Sequence, residues 1–322
     1  MEKTENLRPS FSIVLPVSTS SAEFFDEAVM SCVNQSFTGV YEIIIIVNGS
    51  KTLHRSILKK YSTLEKTRII FEEEASITNA RNRGIAIAKN DFIVLQDADD
   101  ISMPTRLSRL ETAAMGTVDV IHSDAYIINR SGVLIGSLKE KKIDLKELIT
   151  GKKPIINPTV AIKRSSFSKY GNYKNLNMSE DLDLFLRFQN NGAIFQRIPE
   201  PLVMYRVNEA QKTLNCDIFP TWKQEFWIYR TNFSLHYLNR NIISIFFHFF
   251  KLPLRYFKRL LIRKNLNLKP SILLLNSVAP GDSIGGANQA VTEISAFLSK
   301  YYTVYIFCPS RIQSYRLNKI NA

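Results

Sequence analysis

Cysteine is nearly absent from this chain. The three present, Cys32, Cys216 and Cys308, lie far apart and make no CxxC or other paired spacing. A disulfide framework or a thiolate zinc site is therefore not expected, and a reducing, cytoplasmic setting fits. Long apolar runs are also lacking: no charge-free stretch is long enough to span a bilayer. The opening MEKTENLRPS is polar and has no apolar stretch of the kind a secretion signal carries, so none is expected. Internal repeats and low-complexity tracts are missing as well. Acidic residues are in deficit, 29 against 42 basic ones, and the net charge of +13 suggests an anionic partner. The deficit is local. Residues 221–269 hold ten Lys/Arg and a single acid, Glu225.

What is present is a core. Of 322 residues 45% are hydrophobic, enough for one large domain with additions. The first hundred residues alternate two periods. FSIVLP (11–16), YEIIIIV (41–47), RIIF (68–71) and FIVL (92–95) are short apolar runs with the composition of strands. Between them, residues 22–35, 53–64 and 77–88 carry helical spacing. Strand–helix alternation with short connections predicts a parallel sheet with helices on its faces. From about residue 119 the rhythm changes. VDVIHSD, AYIIN and VLIG are expected as separate short strands, 144–150 as a helix, TVAIK as extended chain. Residues 180–191 are expected as a helix with Leu182, Phe185 and Leu186 on one face, and PLVMYR (201–206) as a closing strand.

The stretch DFIVLQDADD (91–100) poses a chemical question. Asp97, Asp99 and Asp100 follow a strand within four positions, and like charges so close raise one another's pKa unless something positive sits among them. The loop can simply cap a following helix whose start Ser102 and Pro104 mark. Alternatively the carboxylates hold a hard divalent cation, Mg²⁺ or Mn²⁺, that binds a diphosphate. The position of the cluster decides for the cation, because ligands of such sheets sit beyond the carboxyl ends of the strands.

Taken together, FSIVLPV (11–17), YEIIIIVNGS (41–50), ITNARNRGIAIAKNDFIVLQDADD (77–100), SEDLDLFLRF (179–188) and PEPLVMYR (199–206) resemble the family 2 glycosyltransferases over about residues 10 to 210. The resemblance implies an α/β GT-A fold: a Rossmann-like nucleotide-binding sheet with a mixed acceptor-side half. It implies an inverting, metal-dependent transfer of sugar from a nucleotide-sugar, a UDP-sugar by expectation, to a glycan or lipid-linked acceptor in surface polysaccharide assembly. By that resemblance Pro16 and Val17 line the base pocket and Arg81 reaches the nucleotide. Asp97 contacts ribose or donor sugar, and Asp99, with Asp97, holds the metal. Asp181 is the general base, and Glu180 beside it positions acceptor or loop. Acids in a first helical turn after Ser179 as N-cap are also what a helix dipole favours without any catalysis. Two positions depart from the family pattern. VNGS (47–50) replaces an acidic turn, so Asn48 offers a base or ribose only a neutral amide, and Asn208 stands where a His is common. The alternative class is a non-catalytic GT-A scaffold recruited through its basic tail.

That tail spans 216–268 and separates the transferase region, 1–215, from a last piece, 269–322. Residues 220–269 carry twelve Phe, Tyr and Trp. On a helical wheel Lys251, Arg255, Lys258, Arg259 and Arg263 share one arc, opposite Leu254, Tyr256, Phe257, Leu260 and Leu261, with Ile262 the misfit. Three readings stand: helices packed on the core with a solvated basic face, a nucleic-acid surface without a recognised module, or helices on an anionic membrane surface. The last is favoured and nucleic acid is not expected, which places the protein in the cytoplasm, peripheral on the inner face of the cell membrane. The final piece, with SILLLN, VAPGDSIGG, a helix at 287–300 and TVYIF, resembles the opening of a family 4 glycosyltransferase of the GT-B fold. Gly285 and Gly286 match that family's glycine-rich loop, and a donor-binding half is lacking, so a remnant is expected.

Overall fold

Parallel pairing organises the first half. Strand β1 (Phe11–Val17) runs alongside β2 (Tyr41–Asn48) on one side and β4 (Phe92–Leu95) on the other, and β3 (Thr67–Glu72) pairs β2. The computed structural model describes residues 8–18, 21–49, 55–139, 155–176, 179–207, 227–228, 231–232, 271–275 and 303–307. Ile43 to Ile46 are all at most 1% exposed, as a strand covered on both faces requires. At about 1.5–3 kcal/mol for each large apolar side chain removed from water, this strand alone is a large share of the core. Pro16 is tolerated in a central strand because β4 stops pairing at Val14, two residues earlier.

Helices α1 (Ala22–Val33), α2 (Arg55–Ser62) and α3 (Ile77–Ile87) make the crossovers. Ser21 and Ser76 cap α1 and α3 through their hydroxyls, which accept from Phe24 N at 3.2 Å and Asn79 N at 3.3 Å. Helix α3 lies close on β1 at Gly84, where a Cβ would stand 2.4 Å from Val14 Cγ1. Only a glycine admits that approach.

The second half is mixed. After β5 (Ile101–Ser102) and α4 (Arg106–Ala114) come β6 (Val120–Ile128), β7 (Leu134–Leu138), a 3-10 turn at Asn157–Thr159 and β8 (Ala161–Lys163). Helices α5 (Arg164–Tyr170) and α6 (Glu180–Asn190) precede β9 (Phe195–Arg206). The sheet order is β3-β2-β1-β4-β8-β6-β9-β5, with β7 on β6. Strand β8 is antiparallel to both β4 and β6, so it joins the parallel half to the rest.

Several expectations are corrected here. VDVIHSD and AYIIN are one strand, because Ser123 and Asp124 pass through it as register shifts against β9 instead of turning the chain. Strand β9 starts six residues before PLVMYR. The helix after the acidic loop begins at Arg106, not at Ser102, whose hydroxyl is used inside the loop. Ser179 makes no side-chain cap on α6 and sits at φ 57°. Residues 144–150, Asn208 and the wheel at 251–263 lie outside the described residues.

By contacts the chain divides into residues 1–208 with 216–249, and residues 209–215 with 250–322. In the second unit β10 (Ser271–Leu275) pairs in parallel with β11 (Thr303–Phe307).

Candidate active site

The carboxyl ends of β1, β2 and β4 share one sheet edge because the three strands are parallel. Pro16 and Val17 end β1 there, both buried, and Asn48 ends β2, 3% exposed. Asn48 is already engaged: its Oδ1 accepts from Ser76 N at 2.9 Å, tying the end of β2 to the start of α3. The loop 96–100 follows β4. It is a turn closed by Asp100 N donating to Asp97 O at 3.3 Å.

Two arginines hold this loop by its backbone and its hidden side. Gln96, fully buried, donates through Nε2 to Asp97 O at 3.1 Å and Asp100 O at 2.8 Å. Its Oε1 accepts from Ser102 Oγ at 2.6 Å and Arg106 Nη1 at 3.0 Å. Arg106 Nη2 reaches Leu95 O and Pro158 O, so one buried guanidinium fixes the end of β4, the loop and the 3-10 turn. Burial pushes this arginine down to about 10, against the raising charges of Cys32, Asp100 and Asp97. From the flank, Arg206 N donates to Asp100 Oδ1 at 2.7 Å and its Nε to Asp99 O at 2.8 Å. The same guanidinium bonds Arg130 O and Glu27, and stacks over Phe24.

The third arginine faces the chemistry. Arg81, on α3 one turn before Gly84, donates Nη2 to Asp97 Oδ1 at 3.2 Å and Nη1 to Glu180 Oε1 at 2.7 Å. The acidic loop and the Glu180–Asp181 pair, about eighty residues apart in sequence, thus meet on one buried guanidinium. Tyr173 lies under it, its ring 5.6 Å from Arg81 Cζ. With its carbonyl turned toward the guanidinium, Asn157 accepts from Arg81 Nη2 at 2.9 Å and donates to the Tyr173 hydroxyl at 2.9 Å. Burial would lower the Arg81 pKa, but the charges of Asp97, Tyr173, Glu180 and Asp181 outweigh it and hold the group firmly protonated.

Electrostatics separates the carboxylates. Burial, then the charge of Glu180, pushes Asp181 up to about 7, opposed by the Leu182 N–H and by Arg81. Asp100 is raised well above the carboxylate range by burial and by Asp99 and Asp97, and its Oδ2 is buried without a hydrogen-bond partner. Tyr205, on β9, feels Asp97, Asp99, Asp100 and Asp181 together, after the larger effect of burial. All four acids therefore border one region. Among the described residues no group of three His, Cys, Asp or Glu forms a closed metal cage. An open groove lined by Glu27, Met30, Ile101, Ser102, Met103 and Met204 contains none of Arg81, Asp97, Asp99, Glu180 and Asp181.

Of the residues singled out in the sequence, Arg81, Asp97, Glu180 and Asp181 come together, with Asp99 beside them. Pro16, Val17 and Asn48 lie along the same edge. Sequence reading missed Gln96, Arg106, Asn157, Tyr173, Tyr205 and Arg206. For Arg206 a signal existed, a basic residue ending an otherwise apolar strand.

Comparison with known proteins agrees with this architecture. Residues 12–171 match the model of the family described as Glycosyl transferase family 2. An uncharacterized glycosyltransferase of Methanocaldococcus jannaschii is 24% identical over 83% of this chain and 92% of its own length. The O-antigen biosynthesis glycosyltransferase WbnJ of Escherichia coli is 27% identical over 58% of this chain and 75% of its own. Among solved structures, S. aureus TarS 1-349 in complex with UDP superposes with a TM-score of 0.52 at 18% identity, over 62% of this chain and 61% of that one. The chain thus spans less than two thirds of that solved structure. The sheet and its acidic edge have the GT-A fold, and most of that sheet lies in the stretch that matches the family 2 glycosyltransferase model.

Proposed function

We propose that the protein transfers a sugar, with inversion, from a UDP-sugar to a glycan or lipid-linked acceptor in surface polysaccharide biosynthesis. The observation that carries this reading is the Arg81 bridge, which joins a donor-side carboxylate, Asp97, to the helix that bears Asp181. Both halves of a displacement need to meet, and here they do. The similarity to a UDP-binding structure and to an O-antigen glycosyltransferase supports donor class and setting.

In this reading Pro16 and Val17 receive the base through the end of β1, and Arg81 binds the nucleotide while orienting Asp97. Asp181 takes the proton of the acceptor hydroxyl. A carboxyl raised to about 7 is suited to that task, since a base works best with a pKa near the working pH. After burial, Glu180 adds to that rise, and it anchors Arg81. Attack from the face opposite the departing diphosphate inverts the anomeric centre.

The acidic loop fits a divalent cation, Mg²⁺ or Mn²⁺. Asp97 and Asp99 offer hard oxygen donors, and the Asp100 carboxyl beneath them, raised by burial and then by their charges, has an Oδ2 with no hydrogen-bond partner. Two carboxylates suffice for a cation that completes its shell with phosphate oxygens. Asp99 and Asp97 would hold it, and it would stabilise charge on the leaving diphosphate.

No described helix is long and apolar enough to cross a membrane. The basic aromatic stretch at 221–269 supports attachment to an anionic membrane surface from the cytoplasmic side, close to a lipid-linked acceptor. Parallel pairing of β10 and β11 supports reading residues 269–322 as similar to the opening of a GT-B fold.

Thermal shift tests the reading. UDP with Mn²⁺ raises the melting point and a chelator cancels the rise, because a ligand that binds only the folded state stabilises it. Asp99→Asn loses the shift. Asp181→Asn keeps it but stops transfer. A wild-type protein whose melting point ignores UDP and Mn²⁺ would sink the proposal.

A further inference from the structure

Behind Asp181, on the far side of α6, stands a second arginine that touches none of the residues assigned so far. Arg187 is 14% exposed and its three donor nitrogens are all used. Nε donates to Asp183 Oδ2 at 2.7 Å, Nη1 to Tyr170 O at 2.7 Å and Nη2 to Asn172 O at 2.7 Å. The chain between those two carbonyls is Gly171, at φ 90°, where a Cβ would stand 3.0 Å from Arg187 Nη1. The loop is wrapped on the guanidinium, and the glycine is what lets it close.

The next residue is Tyr173. Its N donates to Asn82 Oδ1 at 3.1 Å, its O accepts from Asn82 Nδ2 at 2.8 Å, and its ring supports Arg81. Asp183, fully buried, also accepts from Lys174 Nζ at 3.1 Å and from Asn232 Nδ2 at 3.2 Å. Asn232 belongs to a short piece of the aromatic stretch whose Ile228 is buried in the core. Loop, helix and tail converge on one ion pair.

We propose that Arg187 is a positioning residue: by clasping Tyr170–Gly171–Asn172 to the helix of Asp181, it sets Tyr173 against Arg81 and so fixes the donor-binding guanidinium in place. The inference rests on the function proposed above for Arg81. A lysine at 187 keeps the charge and one bond to Asp183 but cannot span both carbonyls.

The test compares full-length Arg187→Lys and Gly171→Ala, which attack the clasp from opposite sides, with Asn232→Ala, which removes bonds to Asp183 and to Ile228 O but none to the Tyr170–Asn172 loop. Without ligand, amide hydrogen exchange at Tyr173 accelerates about tenfold or more in the first two, while the amides of β1, β2 and β4 change less than about twofold. UDP with Mn²⁺ binds about tenfold more weakly to both, the double variant is no worse than the weaker single one, and Asn232→Ala binds normally. Unchanged exchange at Tyr173, unchanged UDP affinity despite faster exchange, or equal weakening by Asn232→Ala each overturns the proposal. Failure of the wild type to bind UDP would instead sink the donor reading, and the ligand-free exchange would still decide whether the clasp holds Tyr173.

Discussion

Replacing Glu180 with Gln isolates the charge that tunes the proposed base. Burial is the largest influence on Asp181 and Glu180 the next, and together they take it to about 7. Gln keeps the shape and can still accept from Arg81 Nη1, now 2.7 Å from Glu180 Oε1, so the loss is mainly one negative charge. Neighbouring carboxylates on a helix stand roughly 8 Å apart, and at an effective dielectric of about 20 their repulsion is ~2 kcal/mol. That corresponds to about 1.5 pH units. Arg81, released from one of its two carboxylates, then acts more strongly on Asp181, with the same sign. With Asp181 as the proposed base, activity requires its ionised form, and a lower pKa carries activity to more acidic solution. The acid limb of kcat/KM for transfer, near pH 7 in the wild type, therefore moves down by about 1.5 units in Glu180→Gln. The plateau falls modestly, since a weaker base accepts the proton less readily. A limb that stays near 7 or moves upward refutes the assignment of Asp181 as the base tuned by Glu180.

Two further outcomes test the scaffold and the tail. Gly84→Ala forces a methyl against Val14 and costs about 1–3 kcal/mol in denaturant unfolding. It also pushes the turn that carries Arg81, so UDP affinity falls with stability, and a variant as stable as wild type would show that α3 is free to lift. Reversing Lys258, Arg259 and Arg263 to Glu together abolishes sedimentation with vesicles containing anionic lipid and leaves soluble transfer to a short acceptor intact. Unchanged sedimentation refutes the membrane surface as the partner of this stretch.

The parallel half was legible because each of its elements is announced locally. Apolar runs such as IIIIV (43–47) have no polar residue to place on a solvent face, and serines at 21 and 76 mark helix starts. The second half was less so. Strand β6 reads as two pieces because Ser123 and Asp124 are turn-prone residues, yet Asp124 is held in the strand by a two-pronged ion pair with Arg197. Helix α5, RSSFSKY, is short and polar, and only three of its residues, Ser166, Phe167 and Tyr170, are buried. Within the site, acids and Arg81 could be read from a resemblance, but Asn157 and Tyr173 could not. Their contacts with Arg81 span 76 and 92 positions of sequence, and nothing in their own neighbourhoods differs from ordinary turn and core residues.

The acidic stretch raised the question of what positive group keeps three aspartates together, and the answer lies first in the chain itself. Arg106 fixes the loop from beneath, Arg206 grips Asp99 and Asp100 from the side, and Arg81 takes Asp97. These three do different work. Arg106 bonds the Leu95 and Pro158 carbonyls and the Gln96 and Ser102 side chains, and Arg206 bonds the carbonyls of Asp99 and Arg130, so both order the loop. Asp100 is raised first by burial and then by the charges of Asp99 and Asp97, even with Arg206 against it. A loop that is rigid and still carries excess negative charge is preorganised for a cation, since little reordering accompanies binding. On the function proposed above, the arginines and a divalent cation are then not rival answers: the arginines give the loop its shape, and a cation would join Asp97 and Asp99 at its edge.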